Sequence, residues 1–347
     1  MTRAGINNLE TIGVIGAGAW GTALAQMLAS DGRDVVLWAY EPEVVQAINA
    51  EHRNPLYLPT ASLAPAIHAT GDLADFASLD TVLVVTPAQV LGRVLCGLPK
   101  APRDLVLCSK GIEAGTGKLM NDVAREASPG SAIAVLSGPT FAHEVAAGLP
   151  TAVTLACGGG AAQWVRLAPA LARPTFRPYY SDDVAGAEIG GAVKNVLAIA
   201  CGLVEGLALG QNARAALIAR GYAEMLRFGE ALGARAETLS GLCGLGDLVL
   251  TCSSTSSRNF SLGKALGELR GGEGASAADL MADRRTVAEG AFTAPVLAQL
   301  AAARGLAMPI VAAVDAILKG EDARKVVAGL LARPLKAERD APQDHGT

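Results

Sequence analysis

The chain has 347 residues, enough for two domains of ordinary size. Hydrophobic residues make up 51% of it and aromatics only 4%, so its cores are built from aliphatic side chains, and the 40 glycines show no collagen-like period. A formal net charge of −4 with scattered basic residues excludes the electrostatic signature of a nucleic-acid partner.

Residues 1–10, MTRAGINNLE, are polar and lack a secretory pattern. The apolar stretch at 196–210 is interrupted by Glu205 and is too short for a membrane span. Cys96, Cys108, Cys157, Cys201, Cys243 and Cys252 form no CxxC pair and read as free thiols of a reducing cytoplasm. His52, His68, His143 and His345 have no metal-ligand spacing, so no metal site is expected.

Taken in chain order, TIGVIG (11–16) predicts a buried strand, and AWGTALAQMLASDG after it an amphipathic helix closed by glycine. DVVLWAY (34–40) predicts a second strand, and EPEVVQAINAEH (41–52) a helix with proline in its first turn. TVLVVTP (81–87), RDLVLCSK (103–110), SAIAVLSGP (131–139) and TAVTLAC (151–157) continue the strands, and a later apolar segment is a further candidate. Apolar strands alternating with helices imply a mostly parallel sheet covered on both faces, an α/β Rossmann-like arrangement. From about residue 188 only helical periods remain, as at 212–233, 292–305 and 309–320, so the second half is expected to be all-α. The expected division is a dinucleotide-binding domain over 1–188, a helical substrate domain over 189–334 and a loose tail over 335–347.

Gly16-Ala17-Gly18-Ala19-Trp20-Gly21 fits GxGxxG between a strand and a helix. In that context the first glycine makes the turn, the second admits a pyrophosphate and the third lets the helix pack on the strand. The second strand ends at Tyr40-Glu41, where Glu41 either accepts from the ribose 2′-OH of NAD or merely heads the next helix as a cap. Lys110 stands at the carboxyl end of a strand, where open α/β sheets bind ligands, and Ser137-Gly138-Pro139-Thr140 forms another strand-end loop. Lys194 and Asn195 are polar neighbours in an otherwise apolar helix, so Lys194 is either paired and depressed in pKa or snorkels at a helix start. Asp247 and Thr251 lie four apart, on one face if helical. Arg258 offers a fork suited to phosphate, while Ser257 or Asn259 is also a candidate N-cap.

Together GAGAWGTALA, SKGIE, SGPTFAHEV, GGAVKNVLAIA, GLCGLGDLVLTC and SRNF, spread over roughly residues 11–320, resemble the NAD(P)-dependent glycerol-3-phosphate dehydrogenases of the bacterial type. The resemblance implies a Rossmann domain, a helical substrate domain and a homodimer, while the cytoplasmic location and the expectation of no membrane span and no nucleic-acid partner rest on the cysteines, the apolar stretches and the charge. It implies hydride transfer between NAD(P)H and dihydroxyacetone phosphate, supplying sn-glycerol 3-phosphate for phospholipid synthesis. By position, Lys194 matches the family's proton donor and acceptor. Lys110, Gly138, Thr140, Asn195, Asp247, Thr251, Ser257, Arg258 and Asn259 match its substrate site. Ala19, Trp20, Ala142, Val287 and Glu289, with Lys110 and Arg258 again, match cofactor contacts. Many members carry His or Arg where this chain has Tyr40-Glu41, which sets a preference between NAD and NADP at issue. The 3-hydroxyacid and 6-phosphogluconate dehydrogenases share the layout but pair lysine and asparagine as Lys-x-x-x-Asn, whereas Lys194 and Asn195 are adjacent. A non-catalytic dinucleotide sensor would be expected to lack Lys194, Asp247 or Arg258.

Overall fold

The computed structural model describes residues 10–269, 280 and 288–334; Val287 and the expected tail, 335–347, lie outside the described residues. Eight strands form one sheet: β1 (Ile12–Ile15), β2 (Val35–Trp38), β3 (Ile67–Thr70), β4 (Thr81–Val84), β5 (Asp104–Leu107), β6 (Ala132–Ser137), β7 (Thr151–Cys157) and β8 (Phe176–Ser181), in the order β3-β2-β1-β4-β5-β6-β7-β8. All neighbours pair parallel except β6 and β7. The order reverses between β1 and β4, which opens a crevice at their carboxyl ends. β1, β4 and β5 are buried at every position, which is why they read as unbroken apolar runs. β3 was not expected from the sequence: IHAT is four residues long, and its edge position leaves His68 exposed.

Helices α1 (Ala19–Ala29), α2 (Pro42–Glu51), α5 (Ala142–Ala146) and α6 (Gly160–Leu171) cover one face of the sheet. The other face packs against α3 (Leu91–Cys96), α4 (Met120–Ala127) and Ala187 of the long helix α7 (Val184–Gly206). α7 starts four residues before Glu188 because Asp183 caps it, accepting from Gly186 N at 2.8 Å. Beyond it come α8 (Gln211–Ala231), α9 (Ala236–Leu239), a π-helical turn at Leu242–Gly246, α10 (Asp247–Thr251), α11 (Arg258–Glu268), α12 (Glu289–Ala303), α13 (Pro309–Leu318) and α14 (Ala323–Leu331). α7 is the axis of this half and packs against α8, α11, α12 and α13.

α7 and α11 touch backbone to backbone. A Cβ at Gly202 would sit 2.0 Å from Phe260 O, and one at Gly263 1.9 Å from Ile199 O. Only glycine permits that approach. At 23 residues α7 is long and apolar enough to cross a membrane, unlike the shorter stretch weighed from the sequence, yet its apolar window is wholly buried in the protein. It is the core helix of the helical half.

Two carboxyls tie helices together in place of ordinary caps. Glu188 on α7 accepts from Asn121 N, in the first turn of α4, at 2.7 Å. Glu224 on α8 accepts from Ile310 N and Val311 N, which open α13, at 2.8 and 3.2 Å. Burial pushes the Glu188 carboxyl up to about 8 and that of Glu224 up to about 7, from 4.5. A carboxyl raised in this way favours folding below its unfolded pKa and loses that contribution as pH rises through the folded one. Between pH 6 and pH 8 the protein is therefore expected to lose stability at a slope of up to about 1.4 kcal/mol per pH unit from Glu188. Glu188→Gln, which mimics the protonated carboxyl, removes that part of the slope. Urea unfolding of both proteins across this range checks it, and equal slopes would refute the assignment.

Candidate active site

The turn from β1 into α1 is built around three glycines with three different demands. Gly16 holds φ at +112°, and a Cβ there would lie 3.0 Å from the Val85 carbonyl. A Cβ at Gly21 would lie 1.8 Å from Gly16 O, so the helix packs directly on the turn. At Gly18, the N-cap of α1, a Cβ would meet nothing within 4 Å, and no side chain caps the helix. Open space beside uncapped N–H groups fits a pyrophosphate. Ala19 and Trp20 form the first turn of α1, and the Trp20 indole N–H is buried without a partner among the described residues.

Past the end of β2, Tyr40 is 78% exposed beside the Trp38 ring. Glu41 stands at the N-cap position of α2 but makes no side-chain cap. It accepts instead from the Tyr57 hydroxyl at 2.8 Å. Tyr57 lies on a loop that Asn54 fastens to the glycine turn, donating to Ala17 O and to Thr22 Oγ1, each at 2.8 Å. Neither Asn54 nor Tyr57 has a signal in the sequence, because each partner lies far along the chain.

Across the sheet edge, Asp247 holds two lysines. Lys194 Nζ donates to Asp247 Oδ1 at 3.0 Å and to Thr251 Oγ1 at 2.9 Å. Lys110 Nζ donates to Asp247 Oδ2 at 2.6 Å and to Gly138 O at 3.4 Å. Thr251 Oγ1 lies 3.1 Å from Asp247 Oδ1, the i to i+4 contact that the spacing predicts. Asp247 is only 1% exposed, so the snorkelling alternative for Lys194 does not hold: its ammonium ends on a buried carboxylate. Burial pushes Lys194 down to about 8 from 10.5; the attraction of Asp247 opposes this and the repulsion of Lys110 adds to it. The two lysines hold the Asp247 carboxyl below its usual range against the opposing effect of burial.

The remaining expected residues surround this cluster. Thr140 Oγ1 donates to Gly138 O at 3.3 Å, and Ala142 starts α5 just beyond. Asn195 Oδ1 accepts from Asn259 Nδ2 at 3.0 Å, and Asn259 Oδ1 accepts from Gly290 N at 3.0 Å, which joins α7, α11 and α12. Ser257 is the N-cap of α11 and accepts from Phe260 N at 3.2 Å, leaving Asn259 to this interhelical link. Glu289 opens α12 with its carboxyl raised by burial, while the nearby Arg258 pulls it down. Lys110, Gly138, Thr140, Lys194, Asp247 and Thr251 thus share one hydrogen-bonded network and Asn195 and Asn259 a second, and among the described residues no hydrogen bond joins either to Tyr40 or Glu41.

A family model described as the NAD-dependent glycerol-3-phosphate dehydrogenase N-terminus matches residues 11–162, and its C-terminal counterpart matches residues 183–328. The chain belongs to the NAD-dependent glycerol-3-phosphate dehydrogenase family. A glycerol-3-phosphate dehydrogenase (NAD(P)+) of Erythrobacter litoralis is 74% identical over 330 residues, covering 95% of this chain and 98% of its own. One from Novosphingobium aromaticivorans is 73% identical over 328 residues, with 94% and 98% covered. The crystal structure of the Coxiella burnetii glycerol-3-phosphate dehydrogenase superposes with a TM-score of 0.87 at 39% identity, covering 93% of this chain and 99% of that one. Members of this dehydrogenase family use NAD or NADP, and the open space at Gly18 beside the uncapped start of α1 suits the pyrophosphate of either.

Asp247→Asn would leave the buried Lys194 ammonium and the half-buried Lys110 ammonium without their counter-charge, and is expected to cost about 3–5 kcal/mol of stability at neutral pH. Chemical unfolding measures it, and a loss under about 1 kcal/mol would show that the cluster is not held by charge. Gly21→Ala, which drives a methyl into Gly16 O, is expected to lower the melting temperature, whereas Gly18→Ala, opening onto free space, leaves it unchanged.

Proposed function

We propose that this chain catalyses the reversible reduction of dihydroxyacetone phosphate to sn-glycerol 3-phosphate with NADH or NADPH, and that Lys194 carries the proton. The observation that supports this most directly is a buried lysine held by a carboxylate and a hydroxyl, with its pKa pushed down to about 8. An ammonium has three donors, and Asp247 and Thr251 take two, leaving one for a substrate oxygen. A bound nicotinamide supplies the hydride, and takes it back in the reverse direction.

As the ketone oxygen gains negative charge, Lys194 gives it a proton; in the oxidation the neutral amine removes the proton from the hydroxyl. Asp247 and Thr251 fix the direction of that N–H, and Lys110 adds a second positive charge where an anionic substrate enters. Arg258 and Asn259, at the start of α11, are assigned to the substrate phosphate, with Gly138, Thr140, Asn195 and Ser257 lining its position. The glycine turn, Tyr40, Glu41, Ala142 and Glu289 are assigned to the dinucleotide.

The same reading divides the chain into a dinucleotide-binding domain and a helical substrate domain at residues 182–183, between the end of β8 at Ser181 and the start of α7 at Val184, because the division at 188 expected from the sequence would cut α7. It extends to this chain a cytoplasmic homodimer that supplies glycerol 3-phosphate to phospholipid synthesis.

Reduction needs protonated Lys194 and oxidation the neutral form. The kcat of reduction is therefore expected to fall as pH rises through about 8, and that of oxidation to rise over the same interval. Steady-state rates in both directions across a pH series test this. Lys194→Ala is expected to lower kcat/KM by about 100- to 10,000-fold; full activity in that variant would sink the proton-transfer role.

A further inference from the structure

Glu41 has a partner that its position does not call for. At the head of α2 a carboxylate would ordinarily turn back onto the first N–H groups of its own helix. Here it makes no such bond, and its Oε1 is held by the Tyr57 hydroxyl at 2.8 Å, while Oε2 carries no bond among the described residues. The loop bearing Tyr57 is itself fixed. Tyr57 N donates to Asn54 Oδ1 at 3.1 Å, and the fully buried Asn54 amide donates to Ala17 O inside the glycine turn. Thr22 Oγ1, the amide's other acceptor, donates to the same Ala17 O at 3.1 Å. A short chain of bonds therefore sets the Glu41 carboxylate at a fixed place relative to the turn suited to a pyrophosphate.

We infer that Tyr57 is a positioning residue that turns Glu41 away from helix capping and toward a ribose 2′-hydroxyl, and so favours NAD(H) over NADP(H). The inference rests on the proposed reading that the end of β2 meets the cofactor ribose. The chemistry is one of donors and acceptors. A ribose 2′-hydroxyl donates to a carboxylate, whereas a 2′-phosphate offers only acceptors and repels it. Burial and the Glu41 charge push the Tyr57 hydroxyl up to about 12, so it stays protonated and remains a donor throughout the working pH range. The carboxyl ends of β2 and β3 carry Glu43, Asp72 and Asp75 besides Glu41, and no arginine takes the place after β2 where a 2′-phosphate would need one. Arg53 is exposed on the loop of Tyr57 and is the cation that a phosphate would recruit.

The test uses the whole chain and needs no turnover. Calorimetry measures the binding of ADP-ribose and of its 2′-phosphate to the parent, Tyr57→Phe, Glu41→Gln and Arg53→Ala proteins. The parent is expected to favour the unphosphorylated ligand by about 10-fold or more. Tyr57→Phe should weaken ADP-ribose by roughly 3- to 10-fold and leave the phosphorylated ligand unchanged or tighter. In kinetics with NADH the same change should fall in KM rather than in kcat. Equal weakening of both ligands by Tyr57→Phe would make the residue a mere prop for its loop and overturn the inference. If Glu41→Gln collapses the preference and Tyr57→Phe does not, the inference fails while the reading of the β2 end stands. If Glu41→Gln changes nothing, both fail. A parent that prefers the 2′-phosphate, with the preference lost in Arg53→Ala, overturns both and assigns the phosphate to Arg53.

Discussion

One buried carboxylate holds the candidate site in shape. Asp247 accepts from Lys110, delivered by the loop after β5, and from Lys194, delivered by the middle of α7. Without that charge, the buried Lys194 ammonium would face the half-buried one of Lys110 with no counter-ion, at a cost above the value of a single hydrogen bond. With it, three segments remote in sequence are pinned to one point at the carboxyl end of the sheet. Two lysines against one aspartate also give this cluster one more positive than negative charge, the sign suited to a phosphorylated substrate.

Backbone contacts that exclude side chains deliver Asp247 to that point. A Cβ at Gly190 would lie 2.5 Å from Cys243 O, so α7 presses directly on the π-helical turn that precedes Asp247. The glycines between α7 and α11 bring Asn195 against Asn259 in the same way. Rigid spacing along α7 then fixes the separation between Lys194, the proposed proton carrier, and the helix start proposed to hold phosphate. Such a site depends on packing tolerances and tolerates little slack.

Much of this was legible because it is local. The glycine turn lies between a strand and a helix that its own residues specify, and the four-residue spacing of Asp247 and Thr251 is a helical neighbour relation. The parallel core strands announced themselves as apolar runs. What was hidden depends on partners distant in the chain. β3 carries too little apolar pattern to be seen, and the reversal at β7 has no local signature. Ser257 caps α11 through a local bond from Phe260 N, but Asn259 is drawn away by Asn195 and Gly290 on other helices, and Glu41 is drawn away from capping by the hydroxyl of Tyr57, sixteen residues on. Val287, expected from the family resemblance, falls outside the described residues.

α7 also bears on how the chain is made. A segment of this length and apolarity satisfies the physical requirements of a lipid-crossing helix while it is still uncovered. On the ribosome it emerges before α11, α12 and α13, which bury it, so its shelter is synthesised last. Glu188, Lys194 and Asn195 interrupt it, and an ionisable group in mid-bilayer opposes insertion by about 2.5–3.5 kcal/mol. The side chains proposed to serve catalysis and to clamp α4 thus also weigh against insertion of the nascent helix into lipid.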